Sequence, residues 1–371
     1  MTLFRIQVCL CLLALGTLAQ TPTSQQTTEQ QSTVQESTTQ AIPVPAKQPG
    51  PNQIRLNVVV NDKSGKPVPN LQQDDFTVLD NKRPQPILSF EAVGGSSTSR
   101  PPVEIVIVVD AINTAFTRVA YERSELDKFL KRDGGRLAFP VQVVFATDSG
   151  LVMEHEPSRD GNAVDDYLDQ HVLGLRAVNR SQGFYGAVDR LRFSLDALNR
   201  LAQAERTRPG RKLVIWISPG WPLISGPRVQ LTPKQEQQIF QTIVGLTAEL
   251  PDSGITLYSV DPLGTSDAGG LRTFYYQEFV KGVKSWRQAL FGNLALQVIV
   301  VHSGGRVLNS NNDIAAEVET CVRDADYYYV LSINPQPADG PDDYHQIEVK
   351  LSSHDLKAQT LSEYYAQPPG R

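Results

Sequence analysis

Cysteine is scarce in this chain, with three among 371 residues, and Cys9 and Cys11 both fall in an apolar N-terminal stretch. The rest of the chain keeps only Cys321, so no disulfide can close within it even where export would permit one. Cys321 recurs with Ile314, Val318 and Ala325 at helical spacing, which predicts a buried apolar thiol rather than a reactive one. Positive charge is thin as well. Lys+Arg 35 against Asp+Glu 40 leaves a net charge of -5 with no dense basic stripe, which excludes a nucleic-acid surface and disfavours an anionic membrane surface. The histidines, at 155, 171, 302, 345 and 354, show neither paired spacing nor a neighbouring cysteine cluster, so the sequence offers no zinc site. It has no Gly-x-Ser-x-Gly elbow and no phosphate loop ending in Gly-Lys-Ser/Thr. Beyond the N-terminus no run is long and apolar enough to span a bilayer, which takes about 20 residues.

What is present has a globular composition, 40% hydrophobic and 20% charged, in a chain long enough for two domains. Residues 1–19 carry Arg5, then the apolar-biased "IQVCLCLLALGTLA", with small residues at Thr17 and Ala19. This pattern predicts a secretory signal cut after Ala19, and a membrane attachment only if that segment stays uncleaved. Residues 20–52 are rich in Gln, Thr and Pro and predict a disordered tether.

From Gln53 to about residue 98 the chain reads as short strands between turn signals at Asp62-Lys63-Ser64-Gly65 and Asp80-Asn81. Residues 340–366 alternate in the same period of two. Neither piece has enough strands to stand alone, so the two are expected to pack together as one small β-sandwich-like module. Between them, residues 103–334 alternate strands and helices, which predicts an α/β domain: a doubly wound, mostly parallel, Rossmann-like sheet covered on both faces. A helix is expected near Thr117–Lys131, a hairpin at 147–150, a capped helix from Thr232 to Leu250, another helix over Ser285–Val301, and "YYYVLSI" as the last strand of this domain. "DDYLD", Asp165 to Asp169, reads as an acidic helix face turned to solvent.

Binding in such a sheet happens beyond the carboxyl ends of its strands. Those ends carry Asp110, after "EIVIVVD", then Ser218-Pro219-Gly220-Trp221 and Asp261. The simplest role for Asp110 is to accept hydrogen bonds from the backbone N–H groups of Asn113 and Thr114 and so shape the next turn.

The ordered series "VVVNDKSGKPVPNLQQDDFTVLDN", "PILSFE", "VVDAINT", "RKLVIWISPGWP", "LYSVDPLG", "SGGRVL", "YYYVLSINP" and "YHQIEVKL" resembles the von Willebrand factor type A (VWFA)-related family of the acidobacterial type. The resemblance covers about Gln53 to Ala366. It implies a type A fold, in which Mg²⁺ is often held by an Asp-x-Ser-x-Ser loop, a threonine and a further aspartate, and takes a carboxylate from the partner. Hard cations require such oxygen ligands. Carried over, Asp110 matches the first position and Thr114 stands in for the second serine. Ile112 replaces the first serine, Gln182 beside Ser181 falls at the threonine position, and Pro219 takes the place of the aspartate. The implied ion site is degenerate, and no cofactor is expected. The alternative is Mg²⁺-dependent ligand binding through Asp110, Thr114, Ser181 and Ser218. An aspartate after the first strand also serves as nucleophile in phosphatases of the haloacid dehalogenase type, but those need a second aspartate where Ile112 stands.

Without a base or a convincing metal, hydrolysis has no machinery, and the expected role is non-enzymatic: protein binding, adhesion or scaffolding outside the cytoplasm. Aromatic loops at the strand ends, with Phe184, Tyr185, Trp221, Tyr275 and Trp286, are the expected contact surface for an extracytoplasmic protein partner, the alternative being that the insertion after Asp261 folds down and buries these rings on the domain itself.

Overall fold

The computed structural model describes residues 53–94, 102–172, 183–224, 229–263, 276–309 and 311–368. All of them lie in one compact unit, Val44–Arg371. The segments read as a signal and a tether, residues 1–52, lie outside the described residues. The strands are β1 Ile54–Asn61, β2 Phe76–Asp80, β3 Arg83–Gln85, β4 Ser89–Gly94, β5 Val103–Asp110, β6 Arg136–Thr147, β7 Gly150–Val152 and β8 Ser158–Asp160. There follow β9 Arg211–Ile217, β10 Ile255–Val260, β11 Val307–Leu308, β12 Tyr327–Ile333, β13 Asp343–Leu351, β14 Lys357–Gln359 and β15 Glu363–Ala366. The helices are α1 Phe116–Leu130, α2 Gly161–Val172, α3 Gly183–Arg206, α4 Pro233–Asp252, α5 Leu296–His302 and α6 Ile314–Val322.

The fold is mixed α/β, with one mostly parallel sheet and two antiparallel ones. The parallel sheet runs β11-β10-β9-β5-β6-β7, with β8 on β6, and only the short β7 and β8 are antiparallel. Its central strands are Val/Ile runs because both their faces are covered. Ile105, Ile107 and Val109 of β5 pack under α1, α2 and α6, whereas Val106 and Val108 pack under α3, α4 and α5. Thr232 caps α4, and the Gln235 side chain accepts its N–H at 2.9 Å, closing the box that the sequence predicts. "DDYLD" is solvated only in part, with Asp166 exposed. Asp165 is buried with Lys131 Nζ at 2.8 Å, and Asp169 pairs with Arg123, so α2 is tied to α1 through its acids.

Two further expectations are corrected. Residues 285–301 do not form one helix. Asn293 accepts from Leu290 N at 2.8 Å and donates to Phe279 O at 3.1 Å, which holds short 3₁₀ turns at 286–288 and 291–294 before α5 begins. The strand "YYYVLSI", β12, does not end the parallel sheet. It joins an antiparallel sheet ordered β14-β1-β12-β4, which faces a second one ordered β15-β13-β2-β3. The reason is two-sided burial. Tyr329, Leu331 and Ile333 point into the core between the two antiparallel sheets, while Tyr328 and Val330 on the opposite face enter the core of the α/β domain. Such a strand has no polar face, so its composition is that of a buried parallel strand.

The α/β part meets the sandwich closely at the turn after α5. Gly304 there has φ 85°, and a Cβ on it would lie 2.4 Å from the Thr360 carbonyl carbon. Gly304→Ala is expected to lower unfolding stability by about 2–4 kcal/mol, from left-handed backbone strain plus a backbone clash. A urea titration checks this, and a loss below about 1 kcal/mol would show that the joint gives way easily.

Candidate functional site

The strands ending at Asp110, Ser218 and Asp261 lie side by side. Val109 pairs with Ile217, and Ile217 with Val260, so the three following turns leave one rim of the sheet. Asp110 ends β5, beside β9 at the centre of the sheet, with its side chain fully buried.

Its carboxylate is engaged by five donors. The N–H groups of Ile112 and Asn113 reach Oδ1, each at 2.9 Å. The Asn113 side-chain amide donates to Oδ2 at 2.9 Å, Trp216 Nε1 at 3.0 Å and the Ser218 hydroxyl at 2.8 Å. A carboxylate offers about four lone-pair directions, so these donors exhaust it. The expected turn is therefore present with shifted donors. Ile112, not Thr114, supplies the second N–H to the carboxylate, and Thr114 N–H goes instead to the Asp110 backbone carbonyl at 3.2 Å.

The residues carried over for a metal divide into three groups. Asp110, Thr114 and Ser218 are brought together at the rim, but Ser218 spends its proton on Asp110 rather than presenting a free oxygen beside it. Ile112 is fully buried in the core on the α3 and α4 side, which is why no oxygen is needed there. Ser181 and Gln182 lie outside the described residues. Asp261 Oδ1 accepts from Leu263 N at 2.8 Å, capping its own turn. Among the described residues no group of three or more His, Cys, Asp or Glu side chains could hold a metal ion.

The aromatic expectations are partly overturned. Trp221 is only 3% exposed. Gly220, at φ 99°, turns the chain back over the rim against the Gln297 side chain, and the Trp221 ring seats edge-on against Trp216 at 5.2 Å. Trp286 is half-buried against the same core, with the Arg287 guanidinium 4.3 Å from its ring centre. Tyr185, in the first turn of α3, is 82% exposed. Phe184 lies in that turn too, though its side chain is outside the described part, as is Tyr275 altogether.

Three participants escaped the sequence analysis. Trp216 shares a sheet face with Asp110 and the already anticipated Ser218 by the period of two, and a tryptophan in a strand interior needs an acceptor for its N–H, which was the available signal. Ser194 on α3 accepts from the Asn113 amide at 2.9 Å. Glu122 stands in the apolar stripe of α1 between Val119 and Leu126 and is fully buried. Burial first, then the nearby Asp110 and Asp261 carboxylates, push its carboxyl well above the ordinary range, with a hydrogen bond from Thr114 and the charge of Arg118 opposing.

No family model and no curated relative matches the chain. Among solved structures, the pilus adhesin SpaC from Lactobacillus rhamnosus GG aligns at 11% identity and TM-score 0.36, over 84% of this chain and 48% of that one. The PilB minor pilin from Streptococcus sanguinis aligns at 10% identity and TM-score 0.32, over 62% of each chain. The human COPII-coat protein Sec24c aligns at 10% identity and TM-score 0.32, over 75% of this chain and 46% of that one. The present chain spans less than two thirds of each of these proteins.

Two outcomes follow from the geometry. Asp110→Ala orphans several buried donors at once and should cost about 3–5 kcal/mol, against about 1–2 kcal/mol for Ser218→Ala, as read by urea unfolding. Equal losses in the two variants would deny Asp110 its central place. Glu122 binds its proton more tightly folded than unfolded, so its contribution is complete below about pH 4.5 and is lost as pH rises through the raised folded value. Glu122→Gln should remove that decline and stabilise the protein at neutral pH. A pH series of melting curves with wild type and variant running parallel refutes the assignment.

Proposed function

We propose that this chain is a VWFA-like, non-enzymatic binding module that works outside the cytoplasm as an adhesion or scaffolding element and needs no cation at its rim. The observation that carries this reading is the saturation of the Asp110 carboxylate by five of the protein's own donors. In a metal-dependent type A domain that aspartate holds an ion that the partner completes. Here the Trp216 indole and the Ser218 hydroxyl deliver the compensating positive ends of dipoles instead, and Pro219 and Ile112 bring no ligand. The strand order β11-β10-β9-β5-β6-β7, with its switch point between β5 and β9, supports the type A reading as well.

With Trp221 turned inward, recognition falls to the exposed face of the rim around Tyr185. Among the described residues no helix is long and apolar enough to cross a membrane.

Metal independence is directly measurable. A ligand present at a hundred times its Kd stabilises a protein by about 2.7 kcal/mol, worth several degrees in Tm at this size. EDTA and millimolar Mg²⁺ or Mn²⁺ should leave the melting temperature unchanged, whereas opposite shifts of several degrees would restore the ion-dependent alternative. Crosslinking with mass spectrometry in the protein's own compartment should capture protein partners on loops near Tyr185. Crosslinks confined to the sandwich would move the binding face there.

A further inference from the structure

A second buried titratable pair lies far from the rim in sequence, where the sandwich docks on the α/β domain. His302 ends α5, and Glu363 begins β15. The two face a small cavity of about 30 Å³ whose apolar wall is formed by Ile243, Leu246, Leu250, Leu294, Ile299 and Leu361. His302 Nδ1 hydrogen-bonds Ser362 Oγ at 3.0 Å and lies 3.2 Å from Glu363 Oε2. Their side chains are 16% and 2% exposed. The backbone binds the same two segments, since Ser362 N donates to the His302 carbonyl at 3.1 Å.

The groups around the pair are known from each side. From β13 the Tyr344 hydroxyl hydrogen-bonds Glu363, and from β15 Tyr365 adds its phenol, with Asp342 acting on the latter. Both phenols are pushed above their ordinary range, chiefly by burial, and stay neutral. The α4 side offers Thr247, and the loops flanking α5 offer Asn293 and Ser303, none of which titrates. No Lys or Arg lines the cavity.

We propose that His302 and Glu363 hold one proton between them and form a clamp between the sandwich and the α/β domain whose strength stays constant over weakly acidic pH. In the unfolded chain between pH 4.5 and 6.5 the two groups are a carboxylate and an imidazolium, which together bind one proton. Burial pulls the folded imidazole down to about 4 and pushes the folded carboxyl up to about 7, so the folded pair also binds one proton across that window. Stability changes with pH only where the two states bind different numbers of protons.

Taken singly, the groups act in opposite directions. Glu363, raised, contributes stability that is complete below pH 4.5 and lost as pH rises to about 7. His302, lowered, costs stability at pH 4 and below, and that loss is recovered as pH rises to 6.5. The two slopes cancel within the shared window. Placing the proton on nitrogen or on oxygen does not alter this balance, because the pair titrates as a unit.

Urea unfolding across pH 4.5–6.5 on wild type, His302→Gln, Glu363→Gln and the double variant tests the clamp. The unfolding constant of His302→Gln should rise by up to about tenfold per pH unit relative to wild type, and that of Glu363→Gln should fall by a similar factor. The double variant should run parallel to wild type. Single-variant profiles that follow wild type overturn the proposal. Side-chain NMR of the unmodified protein is a readout independent of how the variants fold. Neither group should titrate between pH 4.5 and 6.5, and a midpoint inside that window for either one overturns the proposal equally.

Discussion

A buried carboxylate in the middle of a strand edge must be solvated by something, and at Asp110 the protein itself does this. Two backbone N–H groups, an amide, an indole and a hydroxyl converge on two oxygens. The turn into α1, the orientation of Trp216 and the start of the Ser218-Pro219-Gly220 loop are all tied to that one carboxylate, and Trp221 seats against Trp216. The loops of the rim are thereby fixed around an internal network of hydrogen bonds.

The same economy governs the joint between the two parts of the fold. The sheet containing β1 and β12 is buried on both sides, so one layer serves two cores: Leu56, Val58 and Val60 of β1 face the sandwich, while Val59 faces the α/β domain. Added to this are the close backbone approach at Gly304 and the His302, Ser362 and Glu363 cluster. A sandwich held through a shared sheet is not a module hanging from a linker, and a load applied to one part reaches the other through packed side chains.

Much of this architecture is legible in the residues. The Val/Ile runs of β5 and β9, the Thr232 capping box, the hairpin at Thr147 to Gly150 and the buried stripe of α3 follow from local periodicity and turn chemistry. So does the shared edge of the strands ending near 110, 218 and 261. The misplacement of β12 has a definite cause: an antiparallel strand covered on both faces lacks the alternation that distinguishes it from a parallel one. The helix expected over 285–301 failed because a single side chain, Asn293, bonds backbone groups on two sides. The exposed role expected for Trp221 failed because Gly220 reverses the chain. Glu122 went unread: an acid between Val119 and Leu126 carries no local sign of what sits above it.

By itself the sequence determined most of the strands and helices, the stretch 285–301 apart, where they turn, and that a carboxylate stands at the end of β5, because these depend on neighbours only a few residues apart. The tertiary structure decided which groups meet that carboxylate and which sheet β12 belongs to. Both depend on groups that meet only after folding: Trp216 and Ser218 reach Asp110 from more than a hundred positions away, and β12 finds β1 across most of the chain.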